Sequence, residues 1–330
     1  MRSHILRTRC LSNRDFVRIL RRSYATSTRE QLEQFHTPES TFASQQMQNA
    51  QLTVPSPRKV TPESYCFYRD TLPPQPSQLE YADHFFSASK HSPIHLWASS
   101  LFRTIPVSLI PEIAFIGRSN VGKSSIINAL VGEDICASSS KPGRTRTMTS
   151  IGAGGTKGGG SKIALVDTPG YGKGSHAEWG REIEKYLEKR RQLRRIFLLI
   201  DAAVGLKTRD HDVLSLLRHF AIPYQLVLTK LDHAVALENQ KAKTKAKARD
   251  CHSDLIRFSQ TVQDILASAQ PTNPSVEGPG PLGDVIACSI QGETIKHRKS
   301  AIGMNALRWA ILLATGFDQI PKDFKRRRHL

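Results

Sequence analysis

Cysteine is scarce: five residues, at 10, 66, 136, 251 and 288, with no C-x-x-C among them. That excludes a disulfide framework, and the thiols read as ordinary reduced ones. The twelve His stand at no metal-ligand spacing to Cys or acids, so no zinc is expected. Long apolar runs are missing too. Ile196–Ile200 is too short to cross a bilayer and Asp201 follows it, so no integral membrane segment is expected. No internal repeat and no RRM, KH or zinc-finger pattern is present, and DNA is not expected as a partner. Acidic residues are also short, 29 Asp and Glu against 47 Lys and Arg, for a formal net charge of +18. An enzyme of small neutral molecules does not need that excess, whereas a polyanionic partner suits it.

The charge is unevenly placed. The first 28 residues carry Arg2, Arg7, Arg9, Arg14, Arg18, Arg21 and Arg22 against one acid, Asp15, with Ile5, Leu6, Phe16, Val17, Ile19 and Leu20 interleaved. Arg-rich, Ser-containing and acid-poor is the pattern of a mitochondrial transit peptide, with a cleavage-like Arg22-Ser23-Tyr24-Ala25. A basic RNA-binding arm is the alternative reading. Removing this segment leaves about +12. Residues 29–79 are rich in Gln, Ser, Thr and Pro and read as a disordered or loosely docked linker. Basic residues gather again at Lys185–Arg195, read as one helix with Leu187 and Leu193 on its apolar side, at Lys241–Arg249, and in a tail at 321–330. Each alone fits a solvated face; together they suit RNA.

Against this background one octet stands out. Gly117-Arg118-Ser119-Asn120-Val121-Gly122-Lys123-Ser124 matches GxxxxGK[ST], after the apolar run Ile113–Ile116 and before an amphipathic Ser125–Leu130. Gly117 and Gly122 allow a tight turn whose N–H groups point at phosphate oxygens, and the helix adds its positive end. Lys123 can reach β/γ-phosphates and the Ser124 hydroxyl can ligate Mg²⁺. Three further segments follow in order. Ile163–Val166 runs into Asp167-Thr168-Pro169-Gly170, a DxxG in which Asp167 can hold Mg²⁺ and the Gly170 N–H can meet a γ-phosphate. Leu226–Leu228 runs into Thr229-Lys230-Leu231-Asp232. Asp232 can accept from guanine N1–H and the 2-amino group, and the Lys230 stem can lie along the base. Val285–Ser289 is a last strand whose end, Ser289, is expected to offer a backbone N–H to guanine O6. Between the first two motifs, the polar loop Ser139–Thr147 offers Thr145, chosen over Thr147, to close on Mg²⁺ and γ-phosphate.

The segments PEIAFIGRSNVGKSSIINAL (111–130), SSSKPGRTRT (138–147), LVDTPGYG (165–172) and LTKLD (228–232) resemble the EngB/YihA family of TRAFAC-class GTPases. Trp179, Tyr186-Leu187 and Leu206-Lys207 followed by Asp210 add to the likeness, which covers about 80–320. The resemblance implies a single Ras-like α/β GTPase domain at 80–320, here expected as a three-layer fold with a mostly parallel sheet and helices on both faces. It also implies a role in assembling the large ribosomal subunit, with rRNA or a subunit precursor as partner. Tyr171 stands where many Ras-like proteins place a water-orienting Gln, which implies slow intrinsic hydrolysis. Asn120 resembles the residue that helps bind a monovalent cation in relatives, making potassium a candidate ion.

The expected nucleotide-binding set is therefore Gly117, Arg118, Ser119, Asn120, Val121, Gly122, Lys123, Ser124, Ser125, Asp167, Gly170, Thr229, Lys230, Asp232 and Ser289. Lys123, Thr145 and Gly170 are the candidate catalytic residues, and Ser124, Thr145 and Asp167 the Mg²⁺ ligands. Two stretches depart from the family pattern, Gly152–Gly160 and 268–283. The expectation is a monomeric mitochondrial-matrix GTPase binding GTP and GDP. The rivals are a GTP-gated binding module without useful hydrolysis, a membrane-associated GTPase of organelle division, and an ATP-using P-loop enzyme.

Overall fold

Alternating apolar runs and amphipathic segments fold into a seven-stranded sheet, in spatial order β1-β3-β4-β2-β5-β6-β7. The computed structural model describes residues 65–137, 147–155, 160–171, 177–232, 251–290, 301–321 and 324, with backbone alone for 177–179 and 251–257. In chain order these are α1 (Pro76–Phe85), β1 (Ile94–Ser99), β2 (Glu112–Gly117), α2 (Lys123–Val131), β3 (Met148–Ala153), β4 (Ile163–Asp167) and α3 (Ala177–Lys189). There follow β5 (Leu193–Asp201), α4 (Thr208–His219), β6 (Tyr224–Thr229), α5 (Cys251–Ala269), β7 (Leu282–Ala287) and α6 (Met304–Thr315). Strands β4, β2, β5, β6 and β7 run parallel, while β3 and β1 are antiparallel additions at one edge.

The central strands carry continuous apolar runs, 113–116, 163–166, 196–200 and 226–228, because both faces are covered. Along β2, Ile113 and Phe115 join a core with α1, α2 and α6, while Ala114 and Ile116 join a second core with α3, α4 and α5. β5 divides likewise, Phe197 and Leu199 to one side and Ile196, Leu198 and Ile200 to the other. This is the expected three-layer P-loop GTPase fold. Arg308 of α6 donates to the carbonyls of Ala129 and Leu130, at 2.7 and 2.9 Å, and so closes the C-terminal end of α2.

Three sequence expectations change. Leu193 does not continue a helix. α3 stops at Lys189, and Leu193–Asp201 pairs with both β2 and β6. The apolar run 196–200 is worth more inside the sheet than the local helix pattern. The basic cluster thereby splits: Arg190 is buried against Glu112 at 2.6 Å and Arg195 donates to Gln225 at 2.9 Å, while Lys189, Arg191 and Arg194 stay exposed. The domain also begins before residue 80. Phe67 bridges Val285 of β7, and Asp284 accepts from the N–H groups of Arg69, Asp70 and Thr71 and from the Thr71 hydroxyl. Four donors on one carboxylate hold residues 65–71 to the sheet edge, where composition alone read a linker. Last, β7 ends at Ala287 rather than at Ser289.

The stretch 82–110, unplaced by sequence, supplies β1. The unusual stretch 268–283 consists of the end of α5, one helical turn at Pro274–Glu277 and the start of β7. The expected transit peptide at 1–28, residues 29–64, Lys241–Arg249 and 325–330 lie outside the described residues. Among the described residues no helix is long and apolar enough to cross a membrane, and no group of three or more His, Cys, Asp or Glu could hold a metal ion.

Candidate functional site

The parallel register aligns the strand ends. Phe115 lies opposite Asp167, Asp201 opposite Thr229, and Leu228 opposite Ala287. The four motif segments therefore emerge at one edge, the carboxyl ends of the parallel strands, where α/β sheets form their ligand crevices. The octet turns from β2 into α2. Gly122 caps α2 at φ +102°, a conformation that suits glycine.

Lys123 is buried, and its Nζ donates to the carbonyls of Gly117 and Arg118 at 3.0 and 3.1 Å. Burial lowers its pKa to about 8, against the opposing charge of Asp167. Ser124 Oγ donates to Asp167 Oδ2 at 2.6 Å. Burial raises the Asp167 pKa, while the Ser124 hydroxyl and the Lys123 charge act the other way. Asp167 Oδ1 is buried with no hydrogen-bond partner among the described residues. An orphaned carboxylate oxygen beside a hydroxyl and a desolvated ammonium is a donor set able to hold a cation and an anion side by side. Hard oxygen donors of this kind fit Mg²⁺ with phosphate.

The base-side residues also converge. Thr229 Oγ1 donates to the Val121 carbonyl at 2.8 Å, tying the end of β6 to the octet. Lys230 has φ +55°, and its Nζ pairs with Asp201 at 3.0 Å, which anchors the stem. Ser289 is placed otherwise than expected. Its N–H donates to the Ile302 carbonyl at 3.2 Å, while its hydroxyl donates to Asp232 Oδ1 at 2.5 Å. Ser289 thus orients the Asp232 carboxylate, and its N–H is taken up by Ile302.

Two octet residues are likewise engaged elsewhere. The Ser119 N–H donates to the Tyr171 carbonyl at 3.0 Å, and the Arg118 guanidinium bonds the Gly205 carbonyl at 2.9 Å. Asn120 has φ +63°, unusual for a residue with a Cβ, and Ser125 lies in the first turn of α2. Gly170 abuts the octet so closely that a Cβ there would lie 2.7 Å from Ser119 Cα and N. Thr145 lies outside the described residues, as do the closing loop up to Arg146 and the side chain of Trp179. Thr147, the alternative not chosen, is half-buried just before β3.

Comparison with known proteins places this geometry. A family model described as "50S ribosome-binding GTPase" matches residues 112–230. A protein of Rhodopseudomonas palustris strain BisB5, described as "Probable GTP-binding protein EngB", is 42% identical over 178 residues, covering 52% of this chain and 79% of that protein. The chain belongs to the EngB family of GTP-binding proteins. The EngB relative of Bartonella tribocorum is 46% identical over 178 residues, 51% of this chain and 80% of that protein. Among solved structures, Era in complex with MgGDPNP and a fragment of 16S ribosomal RNA superposes with TM-score 0.43 at 21% identity, over 65% of this chain and 60% of that one. In this EngB-type domain sequence reasoning missed Asp201 as the partner of Lys230, since nothing local marks a carboxylate 29 positions upstream. Asp210 marks a family likeness in the sequence, and only the fold brings Arg118 and Tyr171 to it.

Proposed function

We propose that this chain is a mitochondrial-matrix GTPase that binds GTP and GDP with Mg²⁺ and acts in assembly of the large ribosomal subunit. In its GTP state it docks on rRNA-containing precursors, as a monomer, after loss of a transit peptide at residues 1–28. The observation that carries the reading is the convergence of Lys123, Ser124, Asp167, Thr229, Lys230 and Asp232 on one sheet edge, with the bare Asp167 oxygen beside Ser124. The basic composition and the ribosome-binding description of the matched family support the polyanionic partner.

Ser124 and Asp167, with Thr145 from the closing loop, are the residues that would hold Mg²⁺, whose charge would neutralise β/γ-phosphate oxygens. Lys123 shifts its ammonium from two backbone carbonyls to the phosphates. Gly170 offers its N–H on the γ side. Water attacks in line, and no protein nucleophile is required. The hydroxyl of Tyr171 is bonded to Asp210, and no amide stands there to orient that water, so unassisted turnover is slow.

A monovalent ion held near Asn120 would supply positive charge in place of an arginine finger. Turnover is therefore expected to be several-fold faster in potassium chloride than in sodium chloride at equal ionic strength, and to vanish with a magnesium chelator. Equal rates in the two salts would remove potassium from the reading.

The ribosomal role is tested on sucrose gradients of mitochondrial lysate containing the tagged full chain. Comigration with large-subunit precursors is expected with a non-hydrolysable GTP analogue and not with GDP. No comigration with either nucleotide at low salt would sink the ribosomal reading and turn attention to membranes.

A further inference from the structure

The GTP-binding reading leaves one buried polar cluster unused. Asp210, in the first turn of α4, is fully buried. Its Oδ1 accepts from the Tyr171 hydroxyl at 2.6 Å. Its Oδ2 accepts from the Lys207 N–H at 2.7 Å and faces Arg118 Nε at 3.4 Å. Arg118 belongs to the P-loop, Tyr171 follows the DxxG, and Lys207 opens α4, so three separate segments meet on one carboxylate.

The backbone repeats the connection. Residues 118 and 171 form a parallel bridge, the Ser119 N–H donates to the Tyr171 carbonyl at 3.0 Å, and Ser119 Oγ donates to the Gly170 carbonyl at 3.4 Å. Gly170 sits against the P-loop with no room for a Cβ. The Tyr171 side chain packs against the second core and reaches α4 through its hydroxyl.

We propose that Asp210 is a positioning residue that acts through Tyr171, latching the segment after DxxG to the P-loop so that the Gly170 N–H is preset for a γ-phosphate. The reasoning is that of preorganisation. A nucleotide with a γ-phosphate must order Gly170, whereas GDP makes no such demand. A latch that already orders Gly170 lowers the cost of binding the triphosphate alone. The bond from the Tyr171 hydroxyl to the Asp210 carboxyl is short and buried, and the Arg118 guanidinium stands beside it at 3.4 Å.

The test is equilibrium titration of the full-length protein with GDP and with a non-hydrolysable GTP analogue, both with Mg²⁺. Tyr171→Phe removes one oxygen and keeps the ring. It is expected to weaken the analogue about five- to tenfold, the scale of one net hydrogen bond, with GDP within about twofold. Asp210→Asn is expected to shift the same ratio in the same direction. The double variant should be no worse than the poorer single one, as expected for two residues acting as one unit.

A merely structural role would lower thermal stability and both affinities together and leave their ratio alone. An unchanged ratio in folded Tyr171→Phe protein, or tighter analogue binding, would overturn the proposal. If Asp210→Asn does not fold, Tyr171→Phe decides by itself. Wild-type protein that bound neither nucleotide would overturn the GTP-binding reading on which this one rests, a result distinct from an unchanged ratio.

Discussion

Asp232→Asn is expected to move base preference from guanine to xanthine, lowering affinity for GTP about 10³- to 10⁴-fold while xanthosine triphosphate becomes the better ligand. The carboxylate can accept from both guanine donors, N1–H and the 2-amino group. Its two oxygens offer about four acceptor positions, so the bond from Ser289 to Oδ1 leaves capacity for both. An amide keeps one oxygen and turns an NH₂ toward a donor of the base, so one buried polar group on each side loses its partner. Xanthine carries a carbonyl where guanine carries the amino group, and the Asn NH₂ can donate to it. Competition of unlabelled GTP, XTP and ATP against a labelled guanine nucleotide measures the change. Undiminished GTP affinity in the variant would show that Asp232 does not read the base, and preferential ATP binding by the wild type would revive the ATP-using rival.

Arg190→Ala is expected to cost about 3–5 kcal/mol of stability with little change in nucleotide affinity. Glu112 opens β2 at the end of the sheet away from the P-loop and is buried. It accepts from the Tyr186 hydroxyl at 3.0 Å and from Arg190 Nε and Nη2 at 2.9 and 2.6 Å. Arg190 Nη1 also donates to the Pro106 carbonyl at 2.9 Å, which ties down the chain entering β2. Burial, followed by the Glu112 charge, raises the Tyr186 pKa well above its ordinary value, so the tyrosine stays protonated and donating. Removing the guanidinium leaves a carboxylate out of water with one neutral donor, the costly way to break a buried pair. Replacing both partners with apolar residues, Glu112→Leu with Arg190→Met, should recover much of the loss. Urea unfolding of single and double variants reads the difference. A midpoint unmoved by Arg190→Ala would show that the pair contributes nothing.

These two sites differ in how they could be found. Asp232 is legible because the motif that suggests base recognition sets Thr229, Lys230 and Asp232 at one strand end, within a few consecutive residues. The same holds for Lys123 and Ser124, and for Asp167 with Gly170. Glu112 and Arg190 are 78 positions apart. In sequence the first looks like an ordinary strand-edge acid and the second like one of several basic residues available to RNA. The Lys185–Arg195 cluster looks uniform in sequence for that reason: local pattern cannot distinguish a charge facing solvent, as at Arg191, from one spent inside the protein, as at Arg190.

What the chain determined alone is the order of motifs, the apolar strands that carry them and the type of ligand. Each depends on short-range spacing or on a run of residues buried on both faces. Tertiary structure decided where the domain begins, since residues 65–71 are held by Asp284 across 214 positions. It also decided that Ser289 spends its N–H on Ile302 and its hydroxyl on Asp232, and that Arg118, Tyr171 and Asp210 form one cluster. The physical reason is common to all three. A carboxylate buried wholly or in part collects donors from whichever segments the sheet brings to it, and neither distance along the chain nor residue type says which those will be.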